Sequence, residues 1–140
     1  MKLLLAMLTS AVVMASGGSG ECSPVGNWLA KDGTKIRIAP CGANLCGFIA
    51  ETSPQNDPDT NKPRTDKHNI DPAKRSRRLI GVPLLIAMKP NGAGRWTGEL
   101  YKVDDGKTYS GKLIERDQTN VRIEGCVLGI CGGEELARLR

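Results

Sequence analysis

Thr34-Lys35-Ile36-Arg37-Ile38-Ala39 alternates strictly, with Ile36 and Ile38 on one side of the chain and Lys35 and Arg37 on the other. That is the period of a strand with one face buried, because successive β side chains point to opposite faces. Immediately before it, Lys31-Asp32-Gly33 has the chemistry of a hairpin turn, and Gly26-Asn27-Trp28-Leu29-Ala30 supplies the strand that enters that turn. Immediately after it, Cys41-Gly42-Ala43-Asn44-Leu45-Cys46 makes a second turn and Gly47 to Glu51 returns as a third strand.

The same punctuation resumes further along. Pro83-Leu84-Leu85-Ile86-Ala87-Met88 reads as a strand, Pro90-Asn91-Gly92-Ala93-Gly94 as a turn, and Arg95 to Tyr101 as the next strand. Asp104-Asp105-Gly106 turns into Thr108 to Glu115, and Asn120 to Glu124 alternates Val121 and Ile123 with Arg122 and Glu124. With the last segment from Glu134, about eight strands follow one another, most joined by tight turns. A meander of this kind predicts an all-β, closed, up-and-down antiparallel barrel, since closure removes both exposed edges. Gly98, Gly111 and Gly125, inside or at the ends of strands, predict sharp curvature or close packing. The exception to the rhythm is Thr52 to Gly81, which carries Pro54, Pro58, Pro63 and Pro72 among many charges. No continuous strand or helix is expected there, and a loop of that length in a compact domain is commonly functional or mobile.

The N-terminus bears on compartment. Lys2 precedes a nearly unbroken apolar stretch from Leu3 to Met14, and Ala15-Ser16-Gly17-Gly18-Ser19-Gly20 offers several small-residue cleavage points. Roughly a dozen apolar residues are too few to cross a bilayer as a helix, but they suit a secretory signal. The expected organisation is a signal peptide over residues 1–20 and one domain over residues 21–140, periplasmic or secreted, with no transmembrane span. Lipidation at Cys22 is disfavoured by Glu21 immediately before it.

Five cysteines occur, four of them as the C-x4-C pairs Cys41/Cys46 and Cys126/Cys131. In an exported chain these read as disulfides; a four-cysteine zinc site is the rival, but zinc ribbons favour C-x2-C spacing. Turns of an up-and-down meander alternate between the two ends, which puts the two cysteine turns at opposite ends and predicts the local pairs Cys41–Cys46 and Cys126–Cys131. Cys22 is left over, free or able to pair elsewhere. With two Trp, two Tyr and one Phe, the core must be chiefly aliphatic.

The ordered motifs resemble a known family. Gly26-x-Trp28 resembles the G-x-W opening of lipocalins and related barrels. More specifically, the chain from Gly26 resembles the DUF2147 family of exported bacterial proteins, through Cys41-Gly42, Leu45-Cys46-Gly47, Asp66, Asn69, Arg75-Ser76-Arg77, Leu79-x-Gly81, Trp96-x-Gly98, Gly106-Lys107-x-Tyr109 and Gly125-Cys126. Two places depart from the pattern: Arg78 stands where the family usually has Pro, and Leu136 stands where an aromatic usually precedes the final arginine, Arg138. The resemblance implies a lipocalin-like barrel and no established activity. It also implies that Trp28 lies across the closed end with an arginine of the last strand over its ring, Arg138 or else Arg140. The alternative is an ordinary core tryptophan and a solvated C-terminal tail.

Enzyme chemistry finds little support. His68 is the single histidine, there is no G-x-S-x-G elbow, and one histidine cannot make a histidine metal cluster. Asp57-x-Asp59-x-Asn61 begins like a calcium loop but has Lys62 where glycine is needed and His68 where a bidentate glutamate is needed. No enzyme activity, cofactor or metal is therefore expected. Lys74-Arg75-Ser76-Arg77-Arg78 is the strongest cluster in a chain of formal net charge +5. Export argues against nucleic acid and leaves anionic envelope components as candidate partners. The structural alternative is a loop network of Asp66, Asn69, Arg75 and Arg77, with Arg75 or Arg77 paired to Asp66 or Asp71.

The expected interior face comprises Ile36, Ile38, Ile49, Ile86, Trp96, Leu100, Tyr109, Leu113, Val121 and Ile123. These either fill the barrel or wall a small cavity for an apolar or amphiphilic ligand, with Tyr109 as a polar handle and the Thr52–Gly81 loop near the mouth. An envelope interaction module using the basic loop is the second functional expectation.

Overall fold

The computed structural model describes residues 23–140, so the expected signal segment and Cys22 lie outside the described residues. Eight strands follow in chain order: β1 (Gly26–Leu29), β2 (Lys35–Cys41), β3 (Asn44–Glu51), β4 (Pro83–Pro90), β5 (Arg95–Lys102), β6 (Lys107–Glu115), β7 (Asn120–Val127) and β8 (Ile130–Arg138). Each is hydrogen-bonded to its sequence neighbours, and β8 returns to β1, closing the barrel. The closing register sets Trp28 opposite Arg138 and Leu29 opposite Ala137.

The alternation of β2 positions the core as expected: Ile36 and Ile38 are buried while Arg37 is exposed. Leu113, Val121 and Leu136 are fully buried with Trp28 and Met88, so one half of the barrel is filled by side chains. Gly98, Gly111, Gly125 and Gly132 stand opposite one another across β5, β6, β7 and β8. A Cβ at Gly98 would lie 2.5 Å from the Ile86 carbonyl oxygen, and one at Gly111 would lie 2.8 Å from the Glu99 carbonyl carbon. This glycine row lets neighbouring backbones approach where the sheet coils sharply.

Ile86 departs in part from the expected interior: it is half-buried against the core but pairs with exposed Glu99 and does not line the cavity. Leu85 faces inward, opposite Leu100 and Gly47. A register shift follows between Ile86 and Lys89, and Ala87 takes a φ of 48°. This bulge resets the phase, so that Met88 is again buried beyond Ile86, which borders an outer groove.

The disulfides Cys41–Cys46 and Cys126–Cys131 form as expected, across the β2–β3 and β7–β8 turns at opposite ends of the barrel. Four sulfurs therefore never meet as a zinc site. The long loop contains only one short 3-10 turn, Pro72–Lys74, whose N-cap Asp71 accepts the Ala73 amide. It folds on itself through isolated bridges Asn56↔Pro63 and Thr65↔Arg78. It is tied to β3 by the Gly81 amide on the Ile49 carbonyl at 2.7 Å, and to the β5–β6 turn by the Ile70 amide on the Gly106 carbonyl at 3.3 Å. Gly106, with a φ of 69°, allows that contact: a Cβ there would fall 1.8 Å from the His68 carbonyl oxygen.

Candidate functional site

Up-and-down connectivity assigns the ends. The chain termini of the barrel, the β2–β3 turn, the β4–β5 turn and the β6–β7 turn share one end, and the long loop with the β1–β2, β5–β6 and β7–β8 turns shares the other. The first end is shut. The Trp28 ring is fully buried, its indole N–H donates to the Pro24 carbonyl at 2.8 Å, and the Arg138 guanidinium carbon lies 4.3 Å from the ring centroid. Arg138 also donates to the carbonyls of Gln118 at 2.7 Å, Val25 at 3.0 Å and Ser23 at 2.6 Å. Arg138, not Arg140, is thus the cation over the ring.

The other end holds a cavity of about 520 Å³. Its apolar walls include Ile36, Ile49, Leu79, Leu84, Leu100 and Ile123. Thr34, Thr52 and Tyr109 add hydroxyls, and the rim carries Asp32, Arg64, Lys102, Asp104 and Glu134. The barrel is therefore filled at its closed end and hollow at its open end. Of the expected interior residues, Ile36, Ile49, Leu100, Tyr109 and Ile123 line this cavity. Ile38, Leu113 and Val121 lie in the packed half, with Trp96 half-buried against it. Ile86, half-buried like Trp96, packs against that core while also bordering an outer groove with Thr97, Glu99 and Lys112.

Tyr109 does not act as an unengaged polar handle, because its hydroxyl donates to the Asp105 carboxylate. Glu134 is better placed and is absent from the sequence-based set. It pairs with Ile123 across β7 and β8 and lines the same cavity. Burial pushes its carboxyl above the usual range, reinforced by the charge of Asp32 and opposed by the Lys31 amide and ammonium. Glu134 is two residues from the fully buried Leu136 and shares its face of β8, an alternation that in the sequence alone marks a single apolar residue beside a charge.

The loop network is centred on Asp66, which is fully buried. It accepts from Tyr101 at 2.5 Å, from Asn69 Nδ2 at 2.9 Å, and from both Arg77 Nε and Arg77 Nη2 at 2.9 Å. Burial raises the Asp66 pKa, but the hydrogen bonds of Asn69, Tyr101 and Arg77 outweigh it and hold the carboxyl below its ordinary value. The Tyr101 hydroxyl is correspondingly pushed up to about 12 by burial and by the adjacent carboxylate. Arg77 also lies over the Tyr101 ring, 5.7 Å from its centroid. Arg75 takes no carboxylate partner in this network; its Nε donates to the Asn69 carbonyl at 2.8 Å. Asp66, Asn69, Arg75 and Arg77 thus hold the loop together, and Tyr101 of β5 ties it to the barrel through Asp66.

The calcium-like start is engaged internally. Asp57 receives Lys67 at 3.0 Å on one oxygen and the Asp59 amide at 2.9 Å on the other. Glu124, Cys126 and Cys131 also converge, but both sulfurs are bonded to each other. His68 is exposed in the loop.

A family model described as an uncharacterized protein conserved in bacteria, DUF2147, matches residues 26–138. Among solved structures, the fold is similar to that of protein HP1028 from the human pathogen Helicobacter pylori, described as belonging to the lipocalin family. The TM-score is 0.67 at 20% identity, over 83% of this chain and 82% of that one, a likeness of fold. No curated protein matches the chain.

Proposed function

The chain belongs to the DUF2147 family of bacterial proteins, and from that premise, which brings a fold without an activity, we propose that the barrel binds a small amphiphile at its open end. The observation that carries this reading is the cavity of about 520 Å³ with aliphatic walls and a charged rim. Its size is that of small-molecule sites, and its division into apolar depth and polar edge suits an apolar tail with a polar head. The reading is of a binding protein rather than an enzyme: Glu134 is the perturbed carboxyl of the cavity, and the single histidine lies away from it in the exposed loop. Two disulfides support an extracellular or periplasmic setting, and among the described residues no helix is long and apolar enough to cross a membrane. Of the basic loop, Arg77 is engaged by Asp66, while Lys74, Arg75 and Arg78 remain exposed.

Titration with the apolar fluorophore 1-N-phenylnaphthylamine tests the reading. Saturable enhancement, displaced by a single-chain amphiphile such as lauric acid, is expected. Leu100→Trp, which adds bulk to the cavity wall, should weaken it about tenfold or more while the barrel remains folded. No saturable enhancement, or enhancement indifferent to this substitution, removes the cavity from the account.

A further inference from the structure

The tip of the β7–β8 hairpin presents three large apolar side chains to solvent: Leu128 is 97% exposed, Ile130 79% and Val127 51%. The turn itself is Leu128-Gly129, with both residues at positive φ, 50° and 79°. Such a two-residue turn favours Asn-Gly, because glycine has no Cβ to clash in the left-handed region and the short polar side chain of asparagine hydrogen-bonds locally there and tolerates water. Leucine offers neither the local hydrogen bond nor the affinity for water. The Cys126–Cys131 disulfide spans this turn and fixes its shape independently of any partner. Nothing within the described chain covers the tip, although Val127 also contributes to the cavity rim.

The surroundings indicate what covers it. The β5–β6 turn at the same end of the barrel carries exposed Lys102 and Lys107 on either side of exposed Asp104, and the long loop there adds the exposed cations Lys74, Arg75 and Arg78, one exposed anion against five exposed cations in this set. A convex tip of three side chains is far smaller than the roughly 800 Å² per partner of a stable protein interface. A bilayer surface, by contrast, accepts a small apolar wedge, and anionic headgroups are attracted by cations beside it. The geometry points to the open end of the barrel docking on an anionic lipid bilayer, with Val127, Leu128 and Ile130 as the wedge and Lys102 and Lys107 beside them. The cavity mouth would then face the membrane. This docking goes beyond the cavity reading: Val127 and Lys102 also border the cavity, whereas Leu128, Ile130 and Lys107 stand apart from it.

Co-sedimentation with vesicles tests it, using phosphatidylcholine alone and phosphatidylcholine with an equal part of phosphatidylglycerol. The protein should sediment with the anionic vesicles, and less so as salt rises. Leu128→Asp should weaken this about tenfold or more, the cost of removing one buried leucine, and Lys102→Glu with Lys107→Glu should weaken it further. Val25→Asp, an equal charge change at the closed end, should leave it nearly unchanged. Leu100→Trp should also leave it unchanged, so failure of the cavity reading and failure of docking are read separately. Equal binding by Leu128→Asp and the parent protein overturns the proposal, as does the absence of binding to the anionic vesicles. A dimer in sedimentation velocity that Leu128→Asp dissociates would assign the tip to a second copy and overturn it too.

Discussion

Arg138 stands directly opposite Trp28 in the β1–β8 register, with its guanidinium carbon 4.3 Å from the centroid of the indole. One side chain thus joins the first and last strands, covers the packed core, and through Gln118 holds the β6–β7 turn. Truncating it removes a cation–π contact and hydrogen bonds to three carbonyls. Arg138→Ala should cost about 3 kcal/mol in denaturant unfolding, and Arg138→Lys should recover only part, because an ammonium cannot lie flat on the ring and reach three acceptors. A loss below about 1 kcal/mol would mean that the strand pairing alone closes the barrel.

Asp66 and Arg77 give a second expectation, one that depends on pH. The Asp66 carboxyl is held below its ordinary value of 3.8 in the folded protein. Its ionised form is favoured by folding, so its contribution is complete above 3.8 and is lost as pH falls through the lower folded value. Arg77→Ala leaves the buried carboxylate to Asn69 and Tyr101 and raises its folded pKa toward the unfolded value, so the acid loss should be smaller, and the two proteins should differ most at neutral pH and converge as pH falls. The cost at neutral pH should be about 2 kcal/mol, less than for a fully buried pair because the Arg77 side chain is 35% exposed. Urea midpoints measured from pH 3 to 7 check both parts, and parallel profiles for the two proteins would contradict the assignment.

Much of this fold was legible because period-two alternation is local. Ile36 and Ile38, or Val121 and Ile123, declare their faces without knowledge of their neighbours, and the turns between strands fix the end at which each cysteine pair lies. The phase shifts where a bulge intervenes, as Ala87 does between Leu85 and Met88. The polar part of the cavity was less legible for a different reason. A glutamate in strand phase with the core looks like any surface charge until closure shows that Glu134 shares its height with Ile123. Likewise, the engagement of the Tyr109 hydroxyl depends on where the β5–β6 turn carries Asp105. Asp66 and Arg77 were recognisable as an opposite-charge pair, whereas the contribution of Tyr101 depends on how the loop returns over β5.

Glu134 supplies the last expectation. Its carboxyl is raised above the ordinary 4.5, chiefly by burial and then by the charge of Asp32, so folding favours its protonated form. Stability from this group is therefore greatest below 4.5 and declines as pH rises through the higher folded value. Glu134→Gln keeps the shape and removes the charge. It should leave stability unchanged below 4.5 and raise it at neutral pH, by up to about 1 kcal/mol given the partial solvent access of the cavity rim. Because the same carboxylate faces the cavity, the substitution should weaken displacement of the bound fluorophore by dodecyltrimethylammonium while sparing displacement by lauric acid. Unchanged stability at neutral pH would mean that water reaches the carboxylate freely. Equal displacement by the cationic amphiphile in both proteins would mean that the polar head of the ligand does not meet Glu134.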